Sequence, residues 1–361
     1  MSIPSLMRAV LLTGHGGFDK LELRNDVRVP TLGPADVLIR VGAAGVNNTD
    51  INTRIGWYSK AVAEATEVGG ASGLAGAQDD GWSGAAFHFP RIQGADACGQ
   101  IVAVGAGVDT ARIGERVLVM PVFPGTSRYD ILYFGSEVDG AFSEYARVPA
   151  TNAFRIDSHL SDAELASFPC AYSAAENMLT RIALAAGERV LITGASGGVG
   201  SAAVQLAKRR GAEVVAVTGA DKAEAVRALG ASHVIPRDAN LEALFGREHF
   251  DAAVDIVGGA QFGAILNTLK RGGRYGVAGA ISGPVVDLDL RTLYLKDLRL
   301  TGCTVLEPDV FSNLISYIER GEIKPLVAAT YPLDEIVLAQ QEFLTKRHVG
   351  KIVLVNEVET L

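Results

Sequence analysis

The chain has 361 residues, of which 48% are hydrophobic and 20% are charged, a composition that allows two packed domains and excludes a disordered chain. Its 33 lysines and arginines against 41 aspartates and glutamates give a net charge of -8, which provides no basic surface for nucleic acid or an anionic membrane. The sequence also lacks a membrane-spanning apolar run and the pattern of a signal peptide. We therefore expect a cytosolic protein whose partner is a small molecule.

The first part of the chain, up to about residue 150, is predicted to form a β-rich domain. It contains short β-prone runs bounded by Gly, Pro or Asp: Arg8–Thr13, Val37–Val41, Gln100–Val104 and Arg116–Val119. Two further stretches, Glu67–Gly84 and Pro121–Gly140, lack a clear periodicity and are predicted to be long surface loops.

From about Ser161 the chain alternates short apolar segments with helical ones, which is typical of βαβ units around a parallel sheet. The predicted strands and helices are, in chain order, Arg189–Thr193, Val199–Arg210, Glu213–Thr218, Lys222–Leu229, Phe250–Val257, Gly273–Ala278 and Leu298–Val305. An amphipathic helix at Asp309–Arg320 and a strand at Gly350–Val355 follow. The predicted fold class is α/β, with a doubly wound parallel sheet and a second, β-rich domain.

The segment Val190–Gly200, VLITGASGGVG, is the strongest functional signal, because a buried strand runs into a glycine-rich turn that opens a helix. Gly194 and Gly197 allow the tight turn. Gly198 lets backbone N–H groups approach a pyrophosphate, and Gly200 lets the helix pack closely on the strand. The pattern predicts a Rossmann domain that binds a dinucleotide.

The end of the next strand indicates which dinucleotide is bound. It reads Val217-Thr218-Gly219-Ala220, without the Asp or Glu that bonds the ribose 2'-hydroxyl of NAD. Lys222 lies one turn onward, where it would attract a 2'-phosphate. NADP is therefore the predicted cofactor. NAD remains open, because the carboxylate of Asp221 could reach the ribose in a tighter turn.

A family resemblance is carried by segments spread over the whole chain: Gly42–Tyr58, Gly94–Val108, Gly114–Val119, Asp139–Ala150, the glycine-rich turn and Gly350–Val355. In them the chain resembles the medium-chain dehydrogenases/reductases, which include zinc alcohol dehydrogenases and zinc-free quinone oxidoreductases. The resemblance implies a GroES-like substrate domain over residues 1–160, a Rossmann NADP-binding domain over 161–306, and a return of 307–361 to the first domain. It also implies a homodimer joined near Arg299–Cys303.

The zinc ligands of that family are largely replaced here. Asn47 stands where the zinc members place their first cysteine, and Ala95 replaces the histidine of their Gly-His-Glu turn. Cys170 stands at the third position, and one good ligand cannot hold zinc. Residues 121–140 contain no cysteine for a structural zinc. We expect no metal, which places the chain nearer the quinone oxidoreductases. A zinc-dependent alcohol dehydrogenase with an irregular site built from Asp96, Cys170 and Asp50 remains an alternative.

Without a Lewis acid, hydride addition to a quinone or an α,β-unsaturated carbonyl is favoured, because hydrogen bonds can stabilise the phenolate or enolate formed. The predicted function is a zinc-independent, NADPH-dependent reductase of such substrates. Its predicted catalytic residues are Asn47 as hydrogen-bond donor, Tyr58 as acid and Cys170 as a pocket thiol. A non-catalytic NADPH-binding protein is the other alternative. The expected cofactor contacts are Asn47, Ala195, Ser196, Gly197, Gly198, Val199, Thr218, Lys222, Gly258, Ala278 and Lys351.

Overall fold

A computed structural model describes residues 3–77 and 87–356. It separates into two compact units. The β-rich unit comprises the described residues up to 62, those between 68 and 170 and those from 315 to 356, and the parallel-sheet unit comprises 63–67 and 171–314. The domain boundaries expected from the sequence, 160/161 and 306/307, stay a prediction. None of the helices in the described residues has the length and apolar character needed to cross a membrane.

The strands are β1 (Leu6–Leu12), β2 (Leu21–Arg28), β3 (Asp36–Val46), β4 (Arg91–Ile92), β5 (Cys98–Val104), β6 (Arg116–Val119), β7 (Val122–Pro124), β8 (Ile131–Tyr133), β9 (Tyr145–Pro149), β10 (Ala153–Arg155), β11 (Arg189–Ile192), β12 (Glu213–Thr218), β13 (His233–Pro236), β14 (Phe250–Asp255), β15 (Leu269–Val277), β16 (Arg299–Gly302), β17 (Val327–Pro332) and β18 (Lys351–Val355). The helices are α1 (Asn48–Ile55), α2 (Thr66–Gly69), α3 (Asp162–Leu165), α4 (Pro169–Arg181), α5 (Gly198–Arg209), α6 (Ala223–Ala228), α7 (Leu241–Phe245), α8 (Phe262–Thr268), α9 (Leu290–Leu295), α10 (Val310–Glu319) and α11 (Ile336–Thr345).

The β-rich unit is built around β3, which is buried along nearly its whole length. Its main sheet has the order β10-β6-β5-β3-β18-β17, and β9 also pairs with β3. The C-terminal strand β18 runs antiparallel to β3, with Ile352 opposite Val46. This register brings the start of β18 beside the residue that follows β3. A smaller sheet, β2-β1-β4, and the hairpin β7-β8 complete the strands of this unit.

The parallel-sheet unit contains one sheet of the order β13-β12-β11-β14-β15-β16. Every neighbouring pair is parallel. Helices of the unit pack on the sheet and share a core that includes Leu191, Val215, Phe250 and Leu266. Because all carboxyl ends of the strands meet at one edge, the turns that follow β11, β12, β14 and β15 lie side by side there. The predicted α/β class with a doubly wound sheet is confirmed.

The prediction of a surface loop at Pro121–Gly140 is wrong for most of its length. The segment contains the hairpin β7-β8, and Phe123, Tyr133 and Phe134 are buried. Its continuously exposed part is 124–130. The other predicted loop, Glu67–Gly84, contains the end of helix α2, and its residues 78–84 lie outside the described part of the chain.

Candidate active site and cofactor site

A lysine, an aspartate and an asparagine form a buried polar cluster in the β-rich unit. Lys351 opens β18, and its Nζ donates to Asp96 Oδ2 at 2.7 Å and to Asn47 Oδ1 at 2.5 Å. The Asn47 side-chain amide donates to the same Asp96 oxygen at 2.8 Å and to the Gly45 carbonyl at 3.2 Å. A Cβ at Gly45 would lie 2.5 Å from Asp96 Oδ2, so only glycine leaves room for the pair. The ammonium is thus held in the interior by two oxygen acceptors.

Asp50 holds the start of helix α1 in place. Its Oδ2 accepts the Asn47 N–H at 2.7 Å and its Oδ1 accepts the Gly94 N–H at 3.2 Å. Burial raises the pKa of Asp50 to about 7, although both N–H groups and the charge of Lys351 favour the ionised form. The two contacts connect the beginning of α1 to the turn at Gly94, and so orient Asn47 toward the buried lysine.

Cys170 belongs to the same cluster through the other oxygen of Asp96. The Cys170 N–H donates to Asp96 Oδ1 at 2.6 Å, and its Sγ lies 3.0 Å from the hydroxyl of Tyr133. Burial, with Asp96 next, raises the pKa of the Cys170 thiol to about 12. Burial and the neighbouring Cys170 also raise the pKa of Tyr133. Both groups therefore keep their protons at neutral pH, and Cys170 is not a thiolate nucleophile.

Tyr58 follows helix α1 and points back to it. Its hydroxyl donates to Thr49 Oγ1 at 3.2 Å. Burial raises the pKa of Tyr58, against the hydrogen bonds with Thr49 and Asn52, while Cys170 and Asp50 lie close enough to raise it further. The phenol stays protonated in the physiological range, with its hydrogen donated to Thr49.

The structure brings the predicted catalytic residues Asn47, Tyr58 and Cys170 into one region of the β-rich unit. Their catalytic roles stay predictions. Both side-chain hydrogens of Asn47 are donated within the chain, so it can bond a substrate oxygen only by releasing Gly45 or Asp96. Sequence reasoning missed Tyr133, because its strand was taken for a loop. The apolar run from Ile131 to Phe134 was the available signal.

The predicted pyrophosphate turn follows β11 in the parallel-sheet unit. Helix α5 begins after Gly197, which has no side chain to cap the first N–H groups. A Cβ at Gly200 would lie 2.2 Å from the Gly194 carbonyl oxygen, so the helix approaches the turn as closely as the sequence analysis expects. The N–H groups of Ala195 and Gly197 are bonded to the carbonyls of Val217 and Gly194, so the donors left for a pyrophosphate are those of Gly198 and Val199 at the helix N-terminus.

The end of β12 offers a hydroxyl and two cations. Thr218 is buried, and its Oγ1 finds no hydrogen-bond partner among the described residues. Lys222 is also buried; burial and the nearby Arg237 lower its pKa, whereas Asp221 opposes this. A Cβ at Gly219 would lie 3.9 Å from Arg237 Nη2 and 2.6 Å from Asp221 Oδ1. Sequence reasoning missed Arg237, which follows the neighbouring strand β13. The hydroxyl of Thr218 and the two cations fit a phosphate. The carboxylate of Asp221 lies near the same turn.

The other predicted cofactor positions fall into both units. Gly258 follows β14 with a positive φ of 64°, and Ala278 follows β15 at the same sheet edge. Asn47 and Lys351 lie in the β-rich unit, in the buried cluster. All of these cofactor contacts stay predictions.

Both halves of the chain match known family models. The model described as alcohol dehydrogenase GroES-like domain matches residues 33–158, and that described as zinc-binding dehydrogenase matches residues 198–320. The chain belongs to the medium-chain dehydrogenase/reductase superfamily, whose members combine a GroES-like domain with a Rossmann domain.

Two curated relatives match nearly the whole chain. An acryloyl-coenzyme A reductase of Metallosphaera sedula is 29% identical, over 96% of this chain and 99% of its own length. A quinone oxidoreductase of Lama guanicoe is 28% identical, over 97% of each. Both are oxidoreductases, and this chain is of that class.

Solved structures agree with this assignment. A Sinorhizobium meliloti 1021 protein, provisionally described as an alcohol dehydrogenase, is 46% identical over 98% of both chains, with a TM-score of 0.88. The 2-octenoyl-CoA carboxylase reductase CinF, solved with NADP and 2-octenoyl-CoA, is 27% identical, over 98% of this chain and 88% of its own, with a TM-score of 0.82.

The superfamily includes zinc enzymes, and the residues here do not fit a zinc ion. By the family resemblance, Asn47 and Ala95 are expected at two of the three ligand positions of the zinc members. The nearby carboxylate Asp96 already accepts hydrogen bonds from Lys351, Asn47 and the Cys170 N–H. An ammonium beside that carboxylate would repel a divalent cation. In the described part of the chain, no group of three or more His, Cys, Asp or Glu side chains is arranged to hold a metal.

Proposed function

We propose that this protein is an NADPH-dependent reductase that acts without zinc on a quinone or an α,β-unsaturated carbonyl compound. One observation carries the proposal: the Lys351 ammonium is bonded to Asn47 and Asp96, beside the positions where zinc members of the superfamily hold their metal. In place of a Lewis acid this cluster has the Lys351 ammonium, whose charge Asp96 balances, and the Asn47 amide, which would release Gly45 or Asp96 to bond a substrate oxygen. Such groups suit substrates whose negative charge develops on an already conjugated oxygen.

NADPH, when bound, supplies the hydride. The N–H groups of Gly198 and Val199 at the start of α5 would hold its pyrophosphate. Thr218, Lys222 and Arg237 would hold the 2'-phosphate, since an unpartnered hydroxyl and two cations meet at the end of β12. NAD is the competing cofactor, because the carboxylate of Asp221 could bond its ribose 2'-hydroxyl.

Side chains of the protein would stabilise the negative charge that develops on the substrate and would supply the proton. Hydride addition to the β-carbon of an enone leaves negative charge on the carbonyl oxygen, which needs hydrogen-bond donors. Tyr58 would supply the proton to that oxygen or to the α-carbon once its hydroxyl turns from Thr49 to the substrate; the strongly basic enolate would draw the proton although burial raises the pKa of the phenol. Cys170 would contribute a neutral, protonated surface to the pocket.

The relatives support the choice of substrate. Their names include a quinone, acryloyl-coenzyme A and 2-octenoyl-CoA. A quinone and an enoyl thioester both carry a carbonyl conjugated with a double bond. The chemistry of the polar cluster favours the same two classes of substrate, quinones and α,β-unsaturated carbonyl compounds.

The deciding experiment compares trans-hex-2-enal with hexanal, which differ only in the double bond, and adds 9,10-phenanthrenequinone. NADPH consumption is followed with and without a chelator, and the products are identified. We expect chelator-resistant turnover of the enal to hexanal, or of the quinone, and none of hexanal. Chelator-sensitive formation of an alcohol would instead establish a metal-dependent alcohol dehydrogenase. Tight NADPH binding without any turnover would establish a non-catalytic protein.

We also propose a homodimer formed along the edge strand β16. Leu300 on this strand and four residues of the segment that precedes it in the chain are exposed apolar side chains: Val285, Leu290, Tyr294 and Leu295. An unpaired strand edge flanked by apolar surface is suited to a second copy of the chain. The cytosolic location expected from the sequence stays a prediction.

A further inference from the structure

A buried carboxylate joins three strand ends in the parallel-sheet unit. Asp255 is the last residue of β14 and has no exposed surface. Its Oδ1 accepts the hydroxyl of Thr193 at 2.5 Å, and its Oδ2 accepts the hydroxyl of Tyr275 at 2.6 Å. Thr193 follows β11 and Tyr275 lies within β15, so Asp255 connects its own strand to both neighbours.

The same carboxylate shapes the loop that follows it. Asp255 Oδ1 also accepts the N–H groups of Val257 at 2.9 Å and Gly258 at 3.1 Å. The Thr193 hydroxyl in turn accepts the Ile256 N–H at 3.1 Å. The loop after β14 is therefore joined to Thr193, the residue that precedes the glycine-rich turn, directly through Ile256 and indirectly through Asp255.

The contacts reach a third segment through the backbone. The Ser282 N–H donates to the Val257 carbonyl at 2.9 Å, which joins the loop after β15 to the loop after β14. The proposed cofactor positions 195–199, Gly258 and Ala278 thus lie on three segments that are linked, directly or through one neighbour, to Asp255.

All four groups that donate to the Asp255 carboxylate are neutral, and no Lys or Arg of the described residues pairs with it. A buried carboxylate without a cation is costly, and an apolar side chain would pack there at less cost. Asp255 lies at the carboxyl-end edge of the sheet, where dinucleotides bind in such folds. A role in cofactor binding would explain why a buried carboxylate is found there.

We propose that Asp255 is a positioning residue for the cofactor: it holds the glycine-rich turn and the loop 256–258 in one fixed arrangement on which NADPH affinity depends. The inference rests on the proposed NADPH-dependent function. It adds a residue that need not touch the cofactor and that acts through the backbone of residues that do.

The experiment measures NADPH binding by calorimetry and thermal stability for the full-length wild type and four variants. Asp255→Ala removes every acceptor, whereas Asp255→Asn keeps Oδ1 for Thr193 and the loop and can donate its amide to Tyr275. Thr193→Val removes only the link to β11. Asp251→Asn is the matched control, because Asp251 lies on the same strand β14 at the opposite sheet edge, where it accepts the Arg189 N–H and Lys270.

We expect Asp255→Ala and Thr193→Val to raise the Kd for NADPH about tenfold or more, and Asp255→Asn to recover most of the affinity. Asp251→Asn should change the Kd by less than about twofold, even if it lowers the melting temperature as much. If Asp255→Ala does not fold, Thr193→Val carries the test alone. Folded variants that bind NADPH like the wild type would overturn the inference, whereas a wild type that does not bind NADPH would overturn the proposed function.

Discussion

Lys351 Nζ and Asp96 Oδ2 lie 2.7 Å apart in the β-rich unit, although 255 positions separate them in the chain. Their side chains are 3% and 0% exposed. Two charges so far from water are stabilised mainly by each other and by their hydrogen bonds. The pair therefore bears on the stability of the unit as well as on the chemistry of the site.

Replacing Lys351 by Met should lower the free energy of unfolding by about 3–5 kcal/mol, because it leaves the Asp96 carboxylate buried without its cation. Urea unfolding followed by circular dichroism measures the change. Adding Asp96→Asn to the Lys351→Met variant should recover part of the loss, since the unpaired charge is then gone.

The exposed pair Arg291–Asp289, 2.9 Å apart, is the control. Arg291→Met should leave the unfolding midpoint unchanged, because water screens an exposed pair. A Lys351→Met variant as stable as the wild type would show that the ammonium is not paired as described.

Asp50 should make stability depend on pH. Its pKa is raised from 3.8 to about 7 in the folded protein, so the folded state binds this proton more tightly than the unfolded state. The contribution is fully present below pH 3.8 and is lost as the pH rises through about 7. The difference in unfolding free energy between wild type and Asp50→Asn should therefore decrease from pH 4.5 to 7, by up to about 1.4 kcal/mol per unit.

Asp251 is the control for this measurement. Burial would raise its pKa, but the Arg189 N–H and Lys270 lower it overall, so its contribution is lost only in acid. Asp251→Asn should shift stability equally at every pH between 5 and 8. A wild type to Asp50→Asn difference that is flat or increases over this range would contradict the raised pKa.

Lys222→Ala and Arg237→Ala should each raise the Kd for NADPH about tenfold, because each removes a charge-assisted contact to the 2'-phosphate. The Kd for NADH, which lacks this phosphate, should not change. Fluorescence titration with both cofactors measures the two constants. Arg247→Ala removes an exposed cation of the same unit and should change neither. An equal loss of affinity for NADH and NADPH would show that the two cations do not bind the 2'-phosphate.

Tyr58→Phe should lower kcat for trans-hex-2-enal about a hundredfold with little change in KM, because it removes the proposed proton donor. Steady-state kinetics at saturating NADPH measures both constants. Tyr129→Phe, in the exposed tip of the hairpin β7-β8, is the control and should behave like the wild type. An unchanged kcat for Tyr58→Phe would assign the proton to another group.

Leu290→Glu and Tyr294→Glu should convert the proposed dimer to monomers, because each places a charge in an apolar contact. Both side chains are 63% exposed on α9. Light scattering after size exclusion gives the mass. Leu244→Glu, on the exposed face of α7 in the same unit, should leave the mass unchanged. A wild type that is already monomeric would refute the dimer directly.

Local sequence patterns were sufficient for much of the fold. Strands Arg116–Val119 and Glu213–Thr218 have the predicted bounds, and helix α5 begins one residue before the predicted Val199. Apolar alternation and glycines at a strand end act over a few residues, so they can be recognised without knowledge of the fold.

The contacts at the site could not be derived from such patterns. Asn47 and Lys351 are 304 positions apart and meet only because β18 pairs with β3 in the register that places Ile352 opposite Val46. Asp255 and Thr193 meet because β14 and β11 are parallel neighbours, and Tyr133 reaches Cys170 from a hairpin that looked like a loop. Sequence therefore defined the family and the glycine-rich turn. Strand order and register, which depend on packing of the whole chain, determined which polar groups share one buried site.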